Sequence, residues 1–146
     1  MRIATWNINS IRQRIENVTA WLTERSPDIV CLQETKTVDE AFPREPIEAL
    51  GYNVAVHGQK TFNGVAILSR QAPLEMGAER GLPGGDDDVQ SRFIEGLFPL
   101  PNGGRIRVSC LYLPNGNPMG TEHRCWCSAA RSAPSPACWA PLRSWL

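Results

Sequence analysis

The chain opens with a strand, a helix and a second strand inside its first 33 residues, and that order constrains the fold more than any other feature. Residues 2–8, RIATWNI, alternate in polarity and are rich in strand formers, which predicts a strand. Ile11, Ile15, Val18 and Leu22 then recur at helical spacing and predict an amphipathic helix over residues 11–24. Ser10 followed by Gln13 fits a capping box at its start, and Ser26 and Pro27 close it. DIVCLQ, residues 28–33, is a short unbroken apolar run of the kind that is buried on both faces of a sheet. Strand, helix and strand within about 30 residues mark an α/β fold.

Further along, the polar stretch TKTVDEAFPREP reads as a loop leading to a short helix around residues 46–50, with Gly51 as its stop. YNVAVH, GVAILS, RFIEGLF and RIRVSCLYL are four more strand candidates, divided by turn residues at 57–63, 81–88 and 101–104. From there the sheet is expected to be mostly antiparallel. The acidic GGDDD segment reads as a solvated loop rather than a metal site.

Charge bounds the function. The net formal charge is zero, whereas a protein that coats nucleic acid without regard to sequence is usually strongly basic. All 15 acids lie in residues 1–122, so any contact with DNA has to come from a local groove with a few placed donors and a metal to offset phosphate charge. No apolar run approaches the ~18 residues of a membrane helix, and MRIATWNINS has no secretory h-region, so the default compartment is the cytosol. Cys31 and Cys110 fall in apolar strands and read as small structural hydrophobes, and an odd total of five cysteines argues against a disulfide framework.

The texture changes after Glu122. Residues 123–146 contain no Asp, Glu, Lys, Gly, Ile or Val, yet hold three of the five Trp and three of the five Cys. Pro134, Pro136 and Pro141 would interrupt a helix or a strand there. The bias towards Arg, Ala, Pro, Ser, Cys and Trp is that of a GC-rich gene read out of frame, so residues 1–122 are expected to be part of a catalytic domain and residues 123–146 a frameshifted, disordered tail.

Three constellations place polar residues at the ends of apolar strands, where α/β folds carry their sites. They are Trp6-Asn7-Ile8-Asn9, Leu32-Gln33-Glu34-Thr35-Lys36 and Leu111-Tyr112-Leu113-Pro114-Asn115. A carboxylate directly after a core strand is costly unless it is paired or bound to a cation, so Glu34 is a candidate magnesium ligand. The alternative is an ion pair with Lys36 or an arginine at a sheet edge. Asn7 could orient Glu34 or a water, or simply form the turn before the helix. Tyr112 could donate to a phosphate oxygen, or be a packed aromatic with a wet tip. Asn63 reads first as a turn residue, Arg92 as a surface cation and Lys36 as a solvated partner.

Taken together, IATWNINSIRQR, DIVCLQETK, NGVAILS, QSRFIEG and YLPNGNP resemble, in this order and spacing, the bacterial exonuclease III branch of the endonuclease/exonuclease/phosphatase superfamily. WN and QET are shared widely across that superfamily, whereas YLPNGNP points to the DNA-repair branch. The resemblance implies an α/β fold, half of a two-sheet sandwich that is incomplete at its C-terminus. It implies that Glu34 binds magnesium (or manganese) with Asn7 beside it, and that Tyr112 is the catalytic tyrosine near the scissile phosphate. Arg92 and Asn115 match positions facing the DNA backbone, while Asn63 and Lys36 border the cleft. The implied reactions are 3′ to 5′ exonuclease action and cleavage 5′ to abasic sites in double-stranded DNA, by a monomer.

The family's Gly-Asp-aromatic-Asn segment and C-terminal Ser-Asp-His do not occur in the chain, and His57 and His123 match neither. Little or no nuclease activity is therefore expected of it. Poor folding is expected too, because without a partner sheet the apolar face of the first sheet would lie bare. Two other readings stand beside this one. One is a phosphatase of small phosphoesters from the same superfamily. The other is a non-catalytic binding module holding zinc at Cys125, Cys127 and Cys138, although their spacing is unlike that of usual zinc sites.

Overall fold

A computed structural model describes residues 1–79 and 89–114, nearly all of them in one compact unit, Met1–Tyr112. Strand β1 is Ile3–Asn7, helix α1 Ile11–Arg25 and strand β2 Ile29–Gln33. A 3-10 turn at Asp39–Ala41 and a four-residue helix α2, Glu45–Glu48, follow. Strands β3 (Asn53–His57), β4 (Val65–Ser69), β5 (Glu75–Glu79), β6 (Phe93–Pro99) and β7 (Arg105–Leu111) complete the described residues. The GGDDD loop, Asn115 and the tail from His123, with Cys125, Cys127 and Cys138, lie outside them.

Two sheets form. The first has the order β1-β2-β4-β3 and the second β5-β6-β7. Only β1 and β2 pair in parallel, across the helical crossover, and every other pairing among the described strands is antiparallel, as the spacing of the later strands predicted. Because β2 and β4 are central, all five residues of each are buried, which accounts for their unbroken apolar sequences.

Each face of the first sheet has its own core. On one side Ile11, Val18 and Leu22 of α1 pack with Val30, Leu32, Ala66 and Leu68, together with Phe42, Ile47 and Tyr52. Trp6 meets Trp21 edge to face at 5.6 Å beside this cluster. On the other side Ile29, Cys31, Val65 and Ile67 meet Ile94, Phe98, Val108 and Cys110 of the second sheet. The layers are thus helix, sheet and sheet.

That second core corrects one expectation. The apolar face of the first sheet does not lie bare, because β5, β6 and β7 cover it from within the same chain, and the stated reason for poor folding falls with it. Strand β5, EMGAE, is a further correction, since its sequence has no β-branched or aromatic residue to announce it. Its pairing with β6, from Glu75 opposite Leu97 to Glu79 opposite Phe93, recruits it.

The helix start is a third correction. Ser10 sits at φ 91° and makes no side-chain cap bond, so the capping box does not form. Its backbone N–H donates instead to the Glu34 carbonyl at 2.7 Å, and that of Ile11 to the Thr35 carbonyl at 3.1 Å. The loop after β2 thus satisfies N–H groups at the helix start that a capping side chain would otherwise take. At the other end Ser26 adopts the left-handed conformation and its N–H bonds Leu22, as the stop signal there suggested. No helix among the described residues is long and apolar enough to cross a membrane.

Candidate active site

The strand directions gather the candidate residues. Asn7 ends β1, Glu34 follows the end of β2, and Asn63 precedes β4, which runs antiparallel to β2. In the second sheet Arg92 precedes β6 and Tyr112 follows β7. Backbone bonds continue past the strand ends and stitch these segments together. Thr35 N–H donates to Gly64 O at 3.1 Å and Lys36 N–H to Asn63 O at 3.0 Å. Gly64 N–H donates to Ser91 O, and Tyr112 N–H to Arg92 O, both at 2.9 Å.

Glu34 is the hub. Its Oε1 accepts from Asn7 Nδ2 at 2.9 Å, and its Oε2 pairs with Lys36 Nζ at 3.0 Å. The Tyr112 hydroxyl approaches the same carboxylate from the second sheet, near enough for the two groups to shift each other's titration. Partial burial alone would push the Glu34 carboxyl up, but the bonds from Asn7, Lys36 and Tyr112 and the lysine charge outweigh it and leave it below its ordinary value. Burial, then the bond to Glu34 and its negative charge, push the Tyr112 phenol up to about 12, against a smaller opposing effect of Arg92. At neutral pH the site therefore holds a carboxylate and a protonated tyrosine donor.

Two further residues lock the arrangement. Asn9 N–H donates to Asn7 Oδ1 at 3.2 Å, which aims the Asn7 amino group at Glu34. Lys36 Nζ also donates to Asn9 Oδ1, and Arg14 donates to the Asn9 carbonyl. The backbone is strained here. Asn9, Ser10, Glu34, Lys36, Thr61 and Asn63 all have positive φ without being glycine. Such conformations cost roughly 1–3 kcal/mol each, and they gather at sites whose geometry is over-determined by its surroundings.

Asn63 and Arg92 sit differently from their first readings. Asn63 is buried, and its amide donates to Gln90 Oε1 at 2.8 Å and Gln59 Oε1 at 3.2 Å. Gln59 also accepts from Ser91 N–H at 3.0 Å, and Ser91 Oγ donates to the Gly58 carbonyl at 2.9 Å. This buried polar network carries the 59–64 loop. Arg92, expected as a surface cation, is only 3% exposed. Gln59 was not singled out from the sequence, and Asn9, Gln90 and Ser91 stood only as members of quoted motifs without a role, because polar residues in turn-rich segments read as solvated. Asn115 lies outside the described residues.

The donor set suits magnesium better than a softer ion. Among the described residues no three His, Cys, Asp or Glu side chains converge, whereas one ionised carboxylate is the sparse oxygen set that magnesium accepts while keeping its waters, with Asn7 facing it through Nδ2 and able to add its Oδ1 only by turning from Asn9. Lys36 neutralises that carboxylate, so a cation bound at Oε2 would take the place of the ammonium group.

Fold and site together define a two-sheet α/β protein with a charged, oxygen-rich end spanning both sheets. The chain belongs to the Endonuclease/Exonuclease/phosphatase family, whose model matches residues 4–145. It is 38% identical over 129 residues to exodeoxyribonuclease III of Haemophilus influenzae, covering 84% of this chain and 45% of that protein. It is 32% identical over 118 residues to an exodeoxyribonuclease of Bacillus subtilis, covering 79% of this chain and 43% of that one. Among solved structures, a 3′ phosphatase from Neisseria bound to a product DNA hairpin superposes with a TM-score of 0.75 at 35% identity, covering 89% of this chain and 49% of that one. An AP endonuclease from Archaeoglobus fulgidus gives 0.73 at 36% identity, covering 86% and 46%. The chain thus spans less than half the length of the curated relatives it matches, in keeping with an incomplete sandwich.

Proposed function

We propose that the chain is the N-terminal, metal- and phosphate-binding part of a DNA-repair phosphodiesterase that hydrolyses double-stranded DNA at abasic sites and from 3′ ends, as a cytosolic monomer. The observation that carries this is the ionised Glu34 carboxylate, held by Asn7 and Lys36 from its own sheet, with Tyr112 of the opposing sheet beside it.

Glu34 and Asn7 would hold magnesium, which when bound supplies Lewis-acid stabilisation of charge on the phosphate. Asn7 keeps the carboxylate oriented through Nδ2. Tyr112, protonated at working pH, is a hydrogen-bond donor for a phosphate oxygen. Lys36 offers a cation to the same region; the family resemblance assigns Arg92 and Asn115 to the DNA backbone, a role that Arg92, at 3% exposed, could take only by uncovering its guanidinium. Asn63 serves the cleft by fixing the loop that borders it. The family's groups for positioning and activating water, Gly-Asp-aromatic-Asn and Ser-Asp-His, do not occur in the sequence, so the 146-residue chain is inactive by itself. Residues 123–146 are an out-of-frame translation, which sequencing the coding DNA across that junction and translating the other two frames would check.

The test joins residues 1–122 to the C-terminal half of the Haemophilus influenzae relative and offers the product an abasic duplex and a small phosphomonoester. The chimera is expected to cleave the duplex in magnesium, the chain alone to leave it intact, and Glu34→Gln to lower the chimera's rate by about 10²-fold or more, the scale of losing one charge-stabilising group. A folded chimera that hydrolyses only the phosphomonoester would establish the small-molecule phosphatase reading instead.

A further inference from the structure

Among the described residues, Cys31 and Cys110 are free thiols on the facing inner surfaces of the two sheets. Their surroundings are not those of inert core cysteines. Cys110 Sγ lies 3.3 Å from the carbonyl of Leu32, the residue after Cys31, and the two cysteines share one buried cluster in which each shifts the other's titration. The Gln33 amide bridges the pair, donating to Cys110 Sγ and to the Cys31 carbonyl, each at 3.3 Å. A purely apolar packing role calls for neither the amide nor the paired sulfurs.

We infer that Cys31 and Cys110 are a redox-active dithiol that closes to a disulfide between the two sheets. This does not depend on the nuclease reading. The contact with Cys110 lowers the Cys31 thiol below its ordinary value, while the same contact and burial push Cys110 up. Cys31 is also the less buried, at 6% against 1%, so it reacts first. With hydrogen peroxide as oxidant, the Cys31 sulfur forms an S–O bond as the O–O bond breaks and one water leaves. The Cys110 sulfur then attacks the Cys31 sulfur, forming S–S as S–O breaks, and its proton leaves in a second water. Two thiols lose two electrons and one peroxide gains them.

The link would sit just behind the site. Cys31 is three residues before Glu34 on β2, and Cys110 two before Tyr112 on β7. Closing it would tie together the two strand ends whose side chains meet there, which makes the bond a brace on the contact between Glu34 and Tyr112.

Trypsin separates the five cysteines conveniently, placing Cys31 in residues 26–36 and Cys110 in residues 108–124, apart from Cys125, Cys127 and Cys138. The folded 146-residue chain is treated with hydrogen peroxide, its remaining thiols are alkylated, and the digest is mapped by mass spectrometry. The expected result is a linked pair of these peptides, lighter than their sum by two hydrogens, as the main crosslink. It should vanish on reduction with dithiothreitol and in Cys31→Ser and Cys110→Ser. Recovery of both as alkylated thiols or separate oxyacids, or linkage to the three later cysteines in preference to one another, overturns the inference.

Discussion

Phe98→Ala is expected to destabilise the protein by about 3–5 kcal/mol, the usual range for emptying a buried phenylalanine site. Phe98 is 1% exposed and lies on β6, facing the first sheet in the core shared with Ile29, Ile67 and Val108. Its ring packs between the two sheets, which the chain joins through the short segment 70–74 after β4. A domain of this size has only about 5–15 kcal/mol of stability to lose, so the variant should unfold at a clearly lower urea concentration. Phe62 provides the control. It is 65% exposed, and Phe62→Ala should change stability by less than about 0.5 kcal/mol. Equal midpoints for Phe98→Ala and the parent chain would mean that the second sheet does not pack on the first as described.

Gly64→Ala should cost about 2–4 kcal/mol, although it adds a single methyl group. Gly64 has φ +83°, and a Cβ there would stand 2.2 Å from the Thr35 hydroxyl oxygen. An L-residue in that conformation costs roughly 1–2 kcal/mol, and forcing an atom into a filled site roughly 1–3 more. Thr35 is fully buried and its Oγ1 has no hydrogen-bond partner among the described residues, so removing that oxygen forfeits little. The double variant Gly64→Ala/Thr35→Ala should therefore recover the steric part and retain only the backbone cost, a coupling of at least about 1 kcal/mol in a double-mutant cycle. Additive losses in urea denaturation would show that the two positions do not touch. Because Thr35 separates Glu34 from Lys36, the strain would be delivered directly beneath the charged site.

The parts of the fold legible in the sequence were those governed by short-range pattern. The helical spacing of α1 and the unbroken run of β2 report their own burial, and the structure bears them out, while β1 forms as a strand of alternating exposed and half-buried residues with Ile3 exposed. Asn7 beside Glu34 was one of two open readings of the residues and followed otherwise from the resemblance; the register of the strands explains why it holds. β1 and β2 run parallel with Asn7 opposite Gln33, so the next residue on β2 reaches the same end of the sheet. Tyr112 was legible only through its motif, since its approach to Glu34 depends on how one sheet lies upon another.

What the sequence concealed was set by tertiary partners. Ser10 looks like a helix cap, but its N–H is bound to the Glu34 carbonyl and its backbone sits at φ 91°, outside the extended conformation of a capping residue. Asn63 looks like a turn residue facing a cleft, yet Gln59 and Gln90 draw its amide inwards. β5 carries no strand signature of its own and exists because β6 offers it a paired edge. The bare sheet face inferred from the missing half was covered by strands nearer in sequence, whose inward residues Ile94, Phe98, Val108 and Cys110 alternate with polar or half-exposed ones.

Glu34 and Asn7 are proposed as a divalent-cation site at the joined ends of β1 and β2. The most direct measurement is a manganese titration of the isotopically labelled 146-residue chain, followed by paramagnetic broadening of its backbone resonances. Signals around Asn7 and Glu34 are expected to broaden first, magnesium to restore them, and Glu34→Gln to abolish the effect while leaving the spectrum otherwise folded. Broadening centred on the exposed acids near Asp39 and Glu40, or unchanged in Glu34→Gln, would contradict the proposal.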